Sequence, residues 1–416
     1  MVVRDNQVLI IGGGLSGLSL ASALGCRGVG VTLIEAGRYA PQDTAGDTDL
    51  RHTAVSYGSQ RLMERWGVWD EVKAYASPIM HVCVADGESG AFQDNRLTFS
   101  ASHMAGVDRL GSIIGNDVLR RCMYSRARSY QSVCCVEGVA VARRRVSRDG
   151  VVLDLSDGRE VRGMVVAVAD GRFSRYGRES GIGYRHYDYE QKAVVALLRH
   201  ERPHHGVAVE FFWQQGTVAL LPMTDDEEGR PRSSLVWSLS QRSAEAMVSC
   251  ASSLFASHVE RYSHRIFGKM TLISERQAWR VSLVRAQNFV AERMALVGDA
   301  CRALHPLAGQ GINLGWRDVE VFAQLVQDYQ ACGLDCGSST LLRTYGQRRV
   351  RDSQALMMVT HSLQRLFTRG HPALIAMRRR GLRMVESSPR ARQFFMRHAM
   401  GLGLGLGRGL SVDGAW

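Results

Sequence analysis

A glycine turn between two apolar strands constrains this chain more than any other feature. Residues 8–11, Val-Leu-Ile-Ile, form a short apolar run, which predicts a buried strand. Gly12-x-Gly14-x-x-Gly17 breaks that run, residues 15–24 have helical character with small side chains at Ser16, Ser19, Ala21 and Ala23, and residues 31–34 predict a second buried strand ending at Glu35. Strand, turn, helix and strand make one βαβ unit. Gly12 permits the tight turn, Gly14 lets the backbone approach a pyrophosphate, and Gly17 lets the helix pack close to the strand. The helix N-terminus offers N–H groups and its dipole to negative charge, and Glu35 is placed to accept ribose hydroxyls. The unit predicts a dinucleotide site without separating FAD from NAD.

The rest of the chain sets the architecture. Residues 117–128 read as a helix, and residues 151–155 and 161–168 as strands around the turn Asp157-Gly158. The middle third changes to short strands at 193–198, 207–213, 217–221 and 234–239, which predicts an antiparallel sheet. A buried strand at 294–297 and a long helix at 311–329 follow, and nearly everything from 341 to 397 reads as helix. The expected fold is therefore α/β: a Rossmann-like dinucleotide domain from residues 1–77, 106–180 and 276–350, an inserted substrate-binding sheet from 78–105 and 181–275, and a helical C-terminal region, 351–416. A chain of 416 residues is long enough for two or three lobes. No apolar run approaches the roughly 20 residues of a membrane span, and the first strand leaves no room for a signal peptide, so a cytoplasmic protein is expected. The nine cysteines show no Cys-x-x-Cys pair and no matched Cys/His spacing, which predicts reduced thiols and no metal site.

A second motif narrows the cofactor. Leu296-Val-Gly-Asp299 is a strand running into an acidic turn, and it is followed by His305-Pro306-Leu-Ala-Gly309-Gln310-Gly311-Ile-Asn313-Leu-Gly-Trp-Arg-Asp318. Asp299 at a strand end can bind a polyol hydroxyl, and the N–H groups of 309–313 open a helix. Such a helix end suits the charge that a reduced flavin carries on its N1–C2=O edge. This stretch resembles the Gly-Asp motif of class A flavoprotein monooxygenases, and its form is similar to the ubiquinone-biosynthesis hydroxylases. Asp49-Leu-Arg51-x-x-Ala54-Val-Ser, Leu62-x-x-x-x-Gly67-Val-Trp69, Tyr189-Glu-Gln191-x-Ala193-Val-Val, Pro203-His-x-Gly206-x-Ala208 and Ala219-Leu-Leu-Pro222 extend the similarity over most of the chain. Met80-His-Val-x-Val-Ala-Asp86 and Leu220-Leu-Pro-Met-Thr-Asp225 with Ser234-Leu-Val-Trp237 look most like the 2-polyprenyl-6-methoxyphenol hydroxylases.

The resemblance implies a fold like p-hydroxybenzoate hydroxylase, FAD as cofactor and NAD(P)H as reductant. It implies cofactor contacts at Gly12, Gly14, Gly17, Glu35, Arg51, Asn116, Asp170, Asp299, Gly311 and Asn313. Arg51 would neutralise a phosphate or face the flavin ring, the alternative being a surface arginine, and Asn116 would touch FAD or cap the next helix. Asp170-Gly171-Arg-Phe-Ser174-x-x-Gly177-Arg178 is similar to the family's Asp-Gly motif, but Gly177 stands where the family has arginine. That departure bears on NAD(P)H, not on FAD. The loop His305, Pro306, Gly309, Gln310 and Gly311 would lie near the flavin ring, with no general base implied. The implied reaction is hydroxylation of a polyprenyl phenol by O2 through a flavin C4a-hydroperoxide, the flavin doing the chemistry and the protein excluding water. The alternatives are a small soluble aromatic substrate, or a non-catalytic flavin-binding member of a ubiquinone-synthesis complex.

The charge pattern adds a partner. The chain carries +12 overall, and residues 353–416 hold ten arginines against Glu386 and Asp413, a local +8. Interleaved with Leu366, Phe367, Phe394 and Phe395, these arginines suit an anionic membrane surface at the inner membrane face, or partner subunits. A nucleic-acid partner is not expected.

Overall fold

The computed structural model describes residues 3–39, 49–88, 96–304, 309–368, 380–381 and 383–402. His305 and Pro306 lie outside the described residues, as do Arg378 and Arg379. The first sheet places Met294–Leu296, Glu160–Val168, Val3–Ile11, Val31–Glu35 and Val133–Glu137 side by side and parallel. Val8, Leu9 and Ile10 are fully buried, as expected of parallel strands covered on both faces. The helices Leu15–Gly25 and Gln310–Ala331 pack together against it, and the Trp316 indole N–H donates to Ser19 Oγ at 2.8 Å between them.

The second sheet has nine strands, with Tyr184–His200 at its centre between Gln277–Ala286 and Arg232–Ser240. It departs from the sequence reading twice. Val207–Trp213 pairs in parallel with His81–Asp86, because the latter enters from an earlier part of the chain. The strand Gln277–Ala286 lies along Tyr184–His200, so residues expected to open the third piece of the nucleotide domain belong to the large sheet. Its first four residues are half-buried or exposed, so the strand lacks the apolar run that would have announced it. A third, antiparallel sheet of His52–Ser56, Gly111–Gly115 and Ser77–Ile79 packs beside the strand Gly216–Met223 of the second. The chain then runs through the long helix Ser339–Thr368 to the helix Pro389–Ala399, called the cap helix below.

Candidate cofactor and active site

Each glycine of the first turn has a distinct physical role. Gly12 sits at φ +100°, a conformation side chains resist, and a Cβ there would stand 2.5 Å from the Ala169 carbonyl oxygen. A Cβ on Gly17 would stand 1.8 Å from the Gly12 oxygen, whereas one on Gly14 would meet nothing within 4 Å. Gly14 caps the helix Leu15–Gly25 with no side-chain hydrogen bond. The first-turn N–H groups therefore open onto a cradle that a phosphate can enter. The Glu35 carboxylate accepts from Gly13 N at 2.5 Å and from Gly37 N at 2.8 Å. This fixes the carboxylate beside the turn. Tyr39 adds a tether the sequence reading missed, donating its hydroxyl to the Gly13 carbonyl at 2.7 Å and stacking on Tyr124 at 4.0 Å.

The acidic turn is built on Gly298, which has φ +64° and whose Cβ would stand 2.1 Å from Ser16 Oγ. Its N–H is held by Asp318 at 3.1 Å. Asp299 follows, partly buried. Burial pushes its carboxyl above the usual range against the pull of Arg172, Arg302 and Arg51. Arg51 is exposed but held in place. Asp49 grips it through two hydrogen bonds of 2.7 Å, and its guanidinium lies 4.5 Å above the Trp279 ring. Arg172 is anchored on the Arg280 carbonyl at 3.2 Å. The sequence reading assigned no role to Arg172 or Trp279. Both arrive with strands or loops whose pairing the sequence hid.

Asp170 accepts from Arg175 N at 2.9 Å through Oδ2 at the start of the short helix Arg175–Glu179, which Ser174 caps, while its buried Oδ1 lacks a hydrogen-bond partner among the described residues. Burial pushes this carboxyl up as well. The glycine at 177 has a local cause. A Cβ there would stand 2.2 Å from the Tyr184 hydroxyl, which donates to the Ala300 carbonyl at 3.1 Å beside the acidic turn. Burial pushes this phenol up to about 12. Tyr184 thus fills the space next to 177, and Arg178 points to an exposed position.

Asn116 is the first residue of the helix Asn116–Ser129, with Gly115 at the cap position. Its side chain accepts from Thr53 Oγ1 at 2.6 Å, so the capping alternative does not hold. The Asn313 side chain is fully engaged inside the protein. Its amide donates to the carbonyls of Ala54 and Gly309 at 2.8 Å each, and its oxygen accepts from Ser56 N at 3.0 Å. It fixes the loop rather than presenting a free group. Gly309, at φ +59°, opens the helix Gln310–Ala331 without a side-chain cap, and a Cβ on Gly311 would meet nothing within 4 Å. Two helix N-termini with bare glycine approaches, an acidic group at the end of each neighbouring strand and an orphan buried carboxylate oxygen suit a large polyol-phosphate cofactor.

The family described as FAD binding domain matches residues 5–360. The chain belongs to this FAD-binding family. The ubiquinone hydroxylase UbiL of Rhodospirillum rubrum is 36% identical over 395 residues, spanning 95% of this chain and 89% of its own length. The 3-demethoxyubiquinol 3-hydroxylase of Escherichia coli K12 is 28% identical over 404 residues, 97% of this chain and 100% of its own. The fold is that of p-nitrophenol 4-monooxygenase from Pseudomonas putida DLL-E4, with a TM-score of 0.75 at 18% identity over 96% of this chain and 99% of that one. FAD is therefore the cofactor of this family member, and the expected α/β class is the one found.

In an FAD-binding protein arranged this way, Glu35→Ala should weaken FAD binding about tenfold or more while leaving the fold intact, because charge-assisted hydrogen bonds are worth on the order of 1.5–3 kcal/mol. Titration of the apoprotein with FAD checks this, and an unchanged dissociation constant removes Glu35 from the site.

Proposed function

We propose that the protein is an FAD-dependent monooxygenase that hydroxylates the aromatic ring of a polyprenylated phenol in ubiquinone biosynthesis, with NAD(P)H as reductant and O2 as oxygen donor. One observation carries the substrate reading. The flavin loop abuts an apolar cluster: a Cβ on Gly309 would stand 3.0 Å from Ala54 Cβ, and Ala54 packs with Ile79, Ile113, Ala208, Leu221 and Met396. A lipid phenol suits apolar surroundings of this kind beside the flavin loop, and a charged small aromatic compound does not. Bound FAD supplies the redox chemistry, activating dioxygen after reduction. The protein's own groups hold and surround it. The bare turn at Gly14 and the carboxylates of Glu35 and Asp299 would bind the cofactor. The Asn313 clamp holds the loop against His52–Ser56, and the apolar cluster keeps water from the reacting ring. The purified protein should oxidise NAD(P)H rapidly when a prenylated phenol is added and yield hydroxylated product, with charged benzoates inert. NAD(P)H oxidation unmoved by any prenylated phenol would reduce the protein to a flavin-binding scaffold.

The substrate's chain belongs in a bilayer, and no helix among the described residues is long and apolar enough to cross one. Phe394 and Phe395 are 57% and 44% exposed, and Met384 is 65% exposed. Arg383, Arg390, Arg397 and His398 are exposed beside them. Exposed apolar side chains interspersed with cations along this segment fit anionic lipid, at about 1 kcal/mol per engaged cation. Co-sedimentation with anionic vesicles should fall with salt and with Arg383→Gln, Arg390→Gln and Arg397→Gln combined. Sedimentation indifferent to lipid charge would turn this face toward partner subunits.

A further inference from the structure

The two faces of the large sheet differ. On the outer face Phe211, Val218 and Trp237 are buried under the helices Gln241–Ser249 and Ser252–Tyr262, which contribute Ala244, Phe255 and Val259. The inner face is open to solvent. Val84, Glu210, Ala219 and Val236 lie side by side on it, and each is half-buried. Each sits in the middle of its strand, and the strands His81–Asp86, Val207–Trp213, Gly216–Met223 and Arg232–Ser240 are all interior to the sheet. Their exposure therefore belongs to the face and not to an edge. Val82 and Leu221, the next residues along this face, are half-buried as well, so solvent enters a cleft that runs over the sheet.

The cleft leads towards the flavin loop. Ala208, Val82 and Leu221 join the cluster of Ala54, Ile79 and Ile113, whose far side the cap helix covers with Met396. Ala54 is the residue against which a Cβ on Gly309 would stand at 3.0 Å. Glu210 follows Ala208 by two residues, roughly 7 Å along the strand and on the same face. It is the only ionisable residue in the row that runs from Val195 through Val236, Ala219 and Val84 to Leu97. A carboxylate set among apolar side chains costs desolvation free energy, and ligand sites combine such apolar walls with a few placed polar groups that fix orientation.

We infer that Glu210 receives the phenol of the substrate: its carboxylate accepts the phenolic O–H and takes that proton as the ring is hydroxylated. The inference rests on the reading of the substrate as a prenylated phenol, with O2 and NAD(P)H supplying the oxygen and the reducing equivalents. As the ring gains its new C–O bond, the phenolic O–H bond breaks, the proton passes to a Glu210 carboxylate oxygen and the electron pair moves into the ring. When the ring then sheds the hydrogen at the hydroxylated carbon to water, the first oxygen recovers its proton from Glu210 and the carboxylate is restored. The apolar residues on either side hold the ring and keep the proton from exchanging with bulk water.

The test uses full-length holoenzyme with a short-chain prenylated phenol and a ring-fluorinated analogue, whose more acidic hydroxyl ionises in water without help. Glu210→Gln should keep its FAD and its KM for NAD(P)H. Its kcat for the parent phenol should fall about a hundredfold, the scale of a lost proton acceptor. The loss should be about tenfold smaller for the fluorinated analogue, because that phenol enters already ionised. A merely structural role would slow both phenols alike. If the glutamine variant fails to fold, Glu210→Asp keeps the charge and withdraws it by one methylene, and it should show the same difference between the two phenols. Wild-type turnover, or an equal loss on both phenols, in a folded and FAD-replete variant overturns the inference. Failure of the underlying reading looks different: the wild-type enzyme then hydroxylates neither phenol, and the inference falls with it.

Discussion

Replacing Asp318 by alanine should lower the melting temperature on the order of 10 °C and strip the protein of FAD. Asp318 is fully buried. Its carboxylate takes the Gly298 N–H at 3.1 Å, Arg302 at 2.9 Å and Arg349 at 2.6 Å. Arg349 continues to Asp352 at 2.8 Å, which also meets Arg317 at 3.3 Å. Burial works against the charges of Arg302 and Arg349, and Asp318 outweighs it, holding both guanidiniums above their ordinary range. Removing the shared carboxylate leaves the buried Arg302 without its ion-pair partner and Arg349 with Asp352 alone. Breaking one such buried pair costs about 3–5 kcal/mol, and each kcal/mol moves the melting point of a large domain by roughly 2–4 °C or less. The same change frees the Gly298 N–H, so the left-handed turn that presents Asp299 loses its hold. Asp318→Asn keeps the shape and one acceptor and should fall between. Melting curves of the apoprotein and the flavin absorbance of the purified protein read both effects, and an alanine variant that melts with the wild type and keeps its flavin refutes this account.

The cofactor site was legible where local chemistry is written in consecutive residues. Gly12 and Gly17 could be read with their structural roles because a tight turn and a close helix contact each demand a residue without a side chain, and Glu35 could be placed beside that turn because it ends the second strand. The family resemblance rested on the similarly compact run from Leu296 to Asp318. What stayed hidden depends on pairings between distant segments. Trp279 reaches Arg51 only because Gln277–Ala286 joins the large sheet. Arg302, Asp318 and Arg349 were visible as charges, but only the packing of the helices Gln310–Ala331 and Ser339–Thr368 makes them one buried cluster. Asn313 was read as a cofactor contact because it sits in the right motif, and its side chain proves to clamp the loop to Ala54 and Ser56. The departure at Gly177 has a packing cause that the sequence does not display, the Tyr184 hydroxyl in the space beside it.

The first glycine turn allows binding and folding to be separated experimentally. Gly17→Ala places a methyl 1.8 Å from the Gly12 carbonyl oxygen, a backbone atom inside a turn that cannot retreat, since Gly12 N is itself bonded to the Ile34 carbonyl at 2.9 Å. The helix Leu15–Gly25 must then move off the strand, and overpacking of this kind costs about 1–3 kcal/mol or more. This variant should lose both FAD and stability. Gly14→Ala differs in kind. Gly14 has an ordinary φ of −71°, and its added methyl meets nothing within 4 Å. The apoprotein should therefore melt close to the wild type, with at most the roughly few tenths to 1 kcal/mol that alanine costs at a cap. The methyl instead projects into the cradle where the pyrophosphate must approach the helix N–H groups, and FAD should bind on the order of a hundredfold more weakly, about 2.7 kcal/mol. Measured together, the two variants should show one loss of binding with the fold intact and one with the fold weakened. A Gly14→Ala protein that holds FAD as tightly as the wild type would mean that the pyrophosphate does not lie against this turn.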